Sequence, residues 1–220
     1  MKKTFLLAIF YTIFLSVTIA QVAPPYWNEI VAFKKQDSAQ SMPVHPILFV
    51  GSSSITKWTD MNDYFPGSPL VNRGFGGSTL LDLIRYAYDV ILPYQPKQVV
   101  IYCGENDLAY SDLITADEVV KRFKTLFGII RVNLPETVIN FVSIKPSPSR
   151  NNIRNKVIES NKEIKSFMKR QRWSGYIDVY STMVDAAGNP KAELFLEDGL
   201  HMKPEGYAIW GEIIKPYLVR

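Results

Sequence analysis

The chain reads as an α/β fold on a mostly parallel sheet, and three features predict it. Short, nearly unbroken apolar runs rich in β-branched and aromatic residues recur along its 220 residues. Amphipathic helical patterns separate them, and most runs end in a cluster of small and polar residues. Unbroken apolar runs suit strands buried on both faces, the condition of parallel strands covered by helices. Strands alternating with helices give βαβ units, with ligand-binding loops beyond the carboxyl ends of the strands.

At the N-terminus, Lys2-Lys3 precede an apolar run from Phe5 to Ile19 that closes on the small residue Ala20. This is the layout of a secretory signal peptide, residues 1–20, cleaved after Ala20, with an uncleaved N-terminal anchor as the alternative. The run is shorter than the roughly 18 to 20 apolar residues a spanning helix needs. No basic stop-transfer cluster follows it. Export to the periplasm or the extracellular space is expected, with no stable membrane span after cleavage. Residues 21–45 form an N-terminal segment in which Trp27, Ile30 and Val31 would make the apolar stripe of a short helix. Residues 46–220 are expected to fold as one domain, since about 200 residues bury an adequate core.

Without Lys2 and Lys3 the 25 basic residues become 23, against 21 acidic ones. So even a balance argues against a nucleic-acid partner. The single Cys103 forms no internal disulfide, so stability must come from packing.

Four runs read as strands: Ile47–Val50, Gln98–Tyr102, Val138–Ile144 and Tyr176–Val179, with Pro69–Arg73 a weaker fifth. Thr115-Ala116-Asp117-Glu118 has the form of a capping box, and Val119, Phe123, Leu126 and Ile130 follow on one helical face until Leu134-Pro135. A second helix spans about 149–170, with Ile153, Val157, Ile164 and Met168 on its apolar side and basic residues opposite, and the basic stretch from Lys145 to Arg170 reads as an exposed helix face rather than a polyanion site. A third follows Pro204 and carries Tyr207, Trp210, Ile213 and Ile214.

The chemistry gathers in the loops after the strands. Gly51-Ser52-Ser53-Ser54 follows the first, Gly74-Phe75-Gly76-Gly77-Ser78 the weak one, Gly104-Glu105-Asn106-Asp107 the next, and Asp198-Gly199-Leu200-His201 lies near the C-terminus. Each alone is an ordinary loop signal, since Ser, Gly and Asn crowd turns for conformational reasons. Together they offer what acyl transfer needs: a hydroxyl nucleophile, a base, an orienting acid and oxyanion donors. The chain has only two histidines, and His45 precedes the first strand, at the far edge of the sheet, so His201 is the candidate base. The three-residue spacing lets Asp198 hold Nδ1 and leave Nε2 toward a serine. A peptide N–H of Gly77 and the Asn106 amide would join the Ser53 N–H around an oxyanion.

Other readings are weaker. Cys103 lies in an apolar run, where a lone cysteine is usually a small core residue rather than a nucleophile. Glu105, Asp107 and Asp112 have no His or Cys at ligand spacing, so no metal site is expected. Among the aromatics near these loops, Phe75 and Tyr110 follow strand ends and are expected to touch substrate.

With these blocks in order, the chain from Ile47 to the C-terminus resembles the SGNH hydrolases, the GDSL esterase/lipase superfamily. The family's Gly-Asp-Ser block matches Gly51-Ser52-Ser53, with Ser52 in place of the aspartate, and sets the register that makes Ser53 the nucleophile. Asn72-Arg73-Gly74-Phe75-Gly76-Gly77 matches the second block, with the oxyanion glycine at Gly77. Gly104-Glu105-Asn106-Asp107 matches the third, with the oxyanion amide at Asn106, and Asp198-Gly199-Leu200-His201 matches the last. The resemblance implies a three-layer α/β/α, flavodoxin-like sandwich whose five-stranded parallel sheet has the order 2-1-3-4-5, with no metal or organic cofactor. It implies a serine-dependent carboxylester hydrolase working through an acyl-enzyme. The short length and the Gly-Phe-Gly-Gly stretch are most similar to the branch related to platelet-activating-factor acetylhydrolase catalytic subunits, whose exported members are often carbohydrate esterases. Removal of short acyl groups, acetyl first, from a glycan or small-molecule ester is therefore expected. A lysophospholipase or thioesterase on longer chains, and a non-catalytic glycan-binding protein, are the alternatives. No motif speaks to the oligomeric state.

Overall fold

In the computed structural model, which describes residues 23–219, the sheet carries five parallel strands in the order β2-β1-β3-β4-β5. The strands are β1 Ile47–Gly51, β2 Leu70–Gly74, β3 Gln98–Tyr102, β4 Val138–Val142 and β5 Ser174–Ile177. The helices are α1 Trp27–Ala39, α2 Ser53–Thr56, α3 Met61–Tyr64, α4 Leu80–Arg85, α5 Ala87–Val90, α6 Glu105–Tyr110, α7 Ala116–Asn133, α8 Arg154–Met168 and α9 Pro204–Ile214. The expected signal peptide lies outside the described residues. Among those residues no helix is long and apolar enough to cross a membrane.

Side chains alternate across a strand, and the core divides accordingly. Leu48, Val50, Val99, Ile101, Ile139 and Phe141 point into one core, with α1, α4, α5, α7 and α8. Ile47, Phe49, Val100, Tyr102 and Val142 point into the other, with α2, α3 and α9. Both faces are thus covered, giving the three-layer sandwich and order read from the sequence. Reversal of strand order between β1 and β3 opens a crevice at their carboxyl ends, the usual ligand site of such sheets.

Local expectations fared differently. The stripes of α7 and α8 are buried as read, because tertiary burial and helical period agree there. In α1 only Ile30 of the expected stripe is buried, while Trp27 and Val31 are 38% and 43% exposed. Phe33, not Val31, joins Ile30 against the core. The capping box at Thr115 is half formed: Thr115 accepts from the Glu118 N–H at 3.2 Å, but the Glu118 carboxylate pairs with Arg122 at 2.9 Å instead of reaching back. A complete box stands at Thr79 and Asp82, opening α4 directly behind the Gly76-Gly77 turn. β5 starts two residues earlier than Tyr176. β4 ends at Val142, because the Ile144 backbone leaves the ladder to pair with both ends of the Asn161 amide at 2.8 Å.

Candidate active site

The β1–α2 turn is built around Gly51. Its φ of 141° lies in the region that favours glycine, and a Cβ there would stand 1.8 Å from the Tyr102 carbonyl oxygen. That close approach lets Ser52 N–H donate to Tyr102 O at 3.1 Å, while Phe75 N–H donates to Gly51 O at 2.9 Å. The turn is thereby tied to both neighbouring strands. Asn72 adds a brace, its amide donating to Ile55 O at 2.7 Å and its carbonyl accepting from Gly74 N–H at 2.9 Å. Of the three consecutive serines, Ser52 and Ser54 are buried at 4% and 3% exposure, whereas Ser53 is half-buried and opens α2. With Ser52 in place of the family's aspartate, backbone bonds and the Asn72 amide hold the turn.

The Gly74–Ser78 loop lies over Ser53, close enough that a Cβ on Gly76 would come 3.9 Å from the Ser53 Cβ. Asp107 fixes the far end of this loop. It is fully buried, accepts from Leu80 N–H at the start of α4 at 2.9 Å, and pairs with Arg122 at 2.9 Å. Asn106 beside it donates from Nδ2 to Ser78 O at 3.0 Å and accepts at Oδ1 from Arg150 at 2.9 Å. A guanidinium only donates and a carbonyl only accepts, so these partners fix the orientation of the amide. One Nδ2 hydrogen is left without a partner among the described residues.

Beneath Asn106 runs a buried network. Lys145, 1% exposed, donates to Glu105 Oε2 and to Ser147 Oγ at 2.6 Å each, and Tyr102 donates to the same Glu105 oxygen at 2.8 Å. Arg150 stands 3.8 Å from Glu105 Oε1. Burial pushes the Glu105 carboxyl up, but the Lys145 and Arg150 charges and hydrogen bonds more than reverse it, holding the group below its usual range. With Glu105 and Asp107 paired to cations, neither offers a free carboxylate. Among the described residues no group of three or more His, Cys, Asp or Glu could hold a metal ion.

Asp198 accepts at Oδ1 from the N–H groups of Leu200 and His201, both at 2.9 Å, and at Oδ2 meets His201 Nδ1 at 2.6 Å. The backbone N–H of His201, its ring, and the N–H of Leu200 hold the carboxyl well below the usual carboxylate range. The turn is fastened by Ser149, whose N–H and hydroxyl both donate to Gly199 O, at 3.1 and 3.0 Å. Further along α9, Tyr207 donates to Ser54 O at 3.1 Å, bringing the histidine loop to the serine turn. No hydrogen bond joins Ser53 to His201 among the described residues.

A cavity of about 560 Å³ opens beside Gly77 and Asn106, with Arg150, Tyr110 and Tyr26 also among its walls, while Ser53, Asp198 and His201 lie outside its lining. Tyr110 stands on its rim, 83% exposed. Phe75 does not reach it. The expectation that Phe75 touches substrate is corrected here: it is 0% exposed and packs beneath Tyr26 and Tyr86, at centroid distances of 5.3 and 6.1 Å. Cys103 is also fully buried, and burial pushes its thiol well up, leaving no thiolate to attack. His45 sits at the opposite end of the sheet, its Nδ1 2.8 Å from Gln95 O. The expected exposed basic face from Lys145 to Arg170 is corrected at Lys145, which turns inward because Glu105 and Ser147 pair with its ammonium, and the parts played by Tyr26, the Asn72 side chain and Arg150 had no sign in the sequence.

The comparisons agree with this architecture. A candidate platelet activating factor structure from Streptococcus pneumonia is 22% identical, with a TM-score of 0.76 over 87% of this chain and 92% of its own. A GDSL-like lipase from Bacteroides thetaiotaomicron is 22% identical, with a TM-score of 0.74 over 86% and 96%. A catalytic mutant of Axe2, an acetylxylan esterase from Geobacillus stearothermophilus, is 15% identical, with a TM-score of 0.63 over 79% and 93%. No curated protein matches the chain. The GDSL-like lipase/acylhydrolase family pattern matches residues 51–209, spanning all four blocks, and the chain therefore belongs to that family of carboxylic ester hydrolases.

Proposed function

We propose that the protein removes short acyl groups, acetyl foremost, from carbohydrate esters through a covalent acyl-enzyme on Ser53. The observation that carries this reading is the Asp198–His201 pair at 2.6 Å, on a loop joined by the following helix to the carbonyl of Ser54. Ser53 Oγ attacks the ester carbonyl as His201 Nε2 takes its proton. The tetrahedral oxyanion is held by the N–H groups of Ser53 and Gly77 and the amide of Asn106. His201 protonates the departing alkoxide, then activates the water that frees the acid and Ser53. Similarity of fold to an acetylxylan esterase and a cavity too large for an acetyl group alone support a carbohydrate alcohol portion. Export to the periplasm or beyond the cell belongs to the same proposal.

Labelling by a fluorophosphonate together with an acyl series of p-nitrophenyl esters tests it. Label on Ser53 and fastest turnover of acetate support the reading. Faster turnover of octanoate would transfer it to a lipid ester, and absence of both label and turnover would leave a glycan-binding protein.

Two further results are expected. Asn106→Ala should raise the barrier by about 2.7 to 4 kcal/mol, the cost of one oxyanion donor, seen as a loss in kcat larger than any change in KM. The Asp198 carboxyl should show no titration through the usual carboxylate range, because the N–H groups of His201 and Leu200 and the His201 ring hold it well below that range. An Asp198 carboxyl carbon resonance that titrates within that range would show that these hydrogen bonds do not hold in solution.

A further inference from the structure

The cavity beside Gly77 and Asn106 takes one of its walls from the N-terminal segment. That wall is Pro25–Tyr26, ahead of α1 and outside the residues 51–209 that match the family pattern. Tyr26 has φ 64° and ψ 8°, the left-handed region, where a bulky non-glycine residue costs on the order of 1–3 kcal/mol. Such a conformation persists only where the surroundings impose it. Here the Tyr86 hydroxyl donates to Pro25 O at 2.6 Å, and the Tyr26 ring leans on Phe75. This fixing carries the phenol over the Gly77 turn: a Cβ on Gly77 would lie 3.2 Å from the Tyr26 oxygen. Gly77 itself has φ 83°, so both the turn and the tyrosine above it demand a glycine there. The Tyr26 hydroxyl has no hydrogen-bond partner among the described residues. Burial, then the charges of Asp82 and Glu29, push its pKa up, so it remains a neutral donor.

A strained residue, braced from two sides, thus presents an unpaired donor to the cavity next to the proposed oxyanion site. The cavity volume falls in the range that holds a drug-sized ligand, far more than an acetyl group occupies. Asp82, Arg85 and Thr79 add polar groups to the same walls. We propose that Tyr26 is a specificity-determining residue, whose hydroxyl donates a hydrogen bond to an oxygen of the alcohol portion of the ester, a polyoxygenated ring such as a sugar. The N-terminal segment is then part of the substrate site. The inference rests on the reaction centre proposed above.

The test compares two acetyl esters that share an acyl group and differ in the alcohol: glucose pentaacetate and p-nitrophenyl acetate. Tyr26→Phe keeps the ring on Phe75 and removes only the hydroxyl. The ratio of kcat/KM for the sugar ester to that for the aryl ester is expected to fall about 3- to 10-fold, the worth of one neutral hydrogen bond, with the change mainly in KM. Tyr26→Gly, which suits φ 64°, is the second variant should phenylalanine lower Tm, and it should lower the ratio at least as far. An unchanged ratio in a folded variant overturns the proposal, as does a wild type that cleaves only the aryl ester. A wild type inert on both esters and unlabelled by fluorophosphonate overturns the esterase reading itself, an outcome distinct from an unchanged ratio.

Discussion

Ser53→Ala is expected to lower kcat by on the order of 10⁶-fold, the loss seen when a serine nucleophile acting as a unit with its histidine is removed. The same substitution should leave Tm within a degree or two. The Ser53 side chain is half-buried and its hydroxyl holds no partner among the described residues, whereas the turn around it is fixed by backbone bonds with Tyr102 and Phe75 and by the Asn72 side-chain amide, all of which alanine leaves intact. Ser52→Ala and Ser54→Ala are the controls, since their buried side chains cannot meet an ester carbonyl in this arrangement. Turnover of p-nitrophenyl acetate and thermal unfolding of the three variants decide the matter. Retained activity in Ser53→Ala with loss in Ser52→Ala or Ser54→Ala would shift the register by one residue. Equal activity in all three would remove serine catalysis from this turn.

Fold and site are legible in the sequence wherever burial or chemistry restricts residue type locally. Strands such as Ile47–Gly51 and Gln98–Tyr102 announce themselves because every position is buried, so all but Gln98, whose amide is hydrogen-bonded to Asn140 and Tyr217, are apolar. Helix α7 does so because its stripe keeps the 3.6-residue period over five turns. The four polar blocks were readable because acyl transfer demands particular residue types at strand ends. What stayed hidden depends on contacts between residues far apart in the chain. Phe75 follows a strand as an active-site aromatic would, yet nothing in its neighbours tells that Tyr26 and Tyr86 cover it. Glu118 has capping-box spacing, but Arg122 one turn on competes for the carboxylate and wins. Tyr26 precedes the family's first block by 25 residues, and its place over Gly77 follows only from the docking of α1. Nothing around Glu105 in the chain announces its burial, because its partner Lys145 lies 40 residues away.

That pair carries the second large effect. Lys145→Ala is expected to lower stability by about 3–5 kcal/mol, the penalty for leaving a buried charge without its partner. Glu105 would keep the Tyr102 hydroxyl and the Arg150 guanidinium at 3.8 Å, but its Oε1, already without a hydrogen-bond partner, would share the interior with no ammonium. The pH dependence separates this cause from a simple packing loss. In the wild type the Glu105 carboxyl titrates below its unfolded value, so its contribution is fully present above the usual glutamate range and is lost as pH falls through that range. In Lys145→Ala, burial without the ammonium should raise the carboxyl instead, so protonation relieves the variant as pH falls. The stability gap between the two proteins should therefore narrow on acidification. Glu105→Leu combined with Lys145→Met, which replaces the ions by apolar volume, should recover most of the loss at neutral pH. Denaturant unfolding at neutral and acid pH measures both effects. A gap independent of pH would mean that lost packing of the lysine stem dominates. Failure of the double variant to recover would mean that the remaining polar atoms of Tyr102 and Ser147 need the charges they now bind. Because Asn106 directly follows Glu105 and shares Arg150 with it, Lys145→Ala should also lower kcat in whatever fraction remains folded.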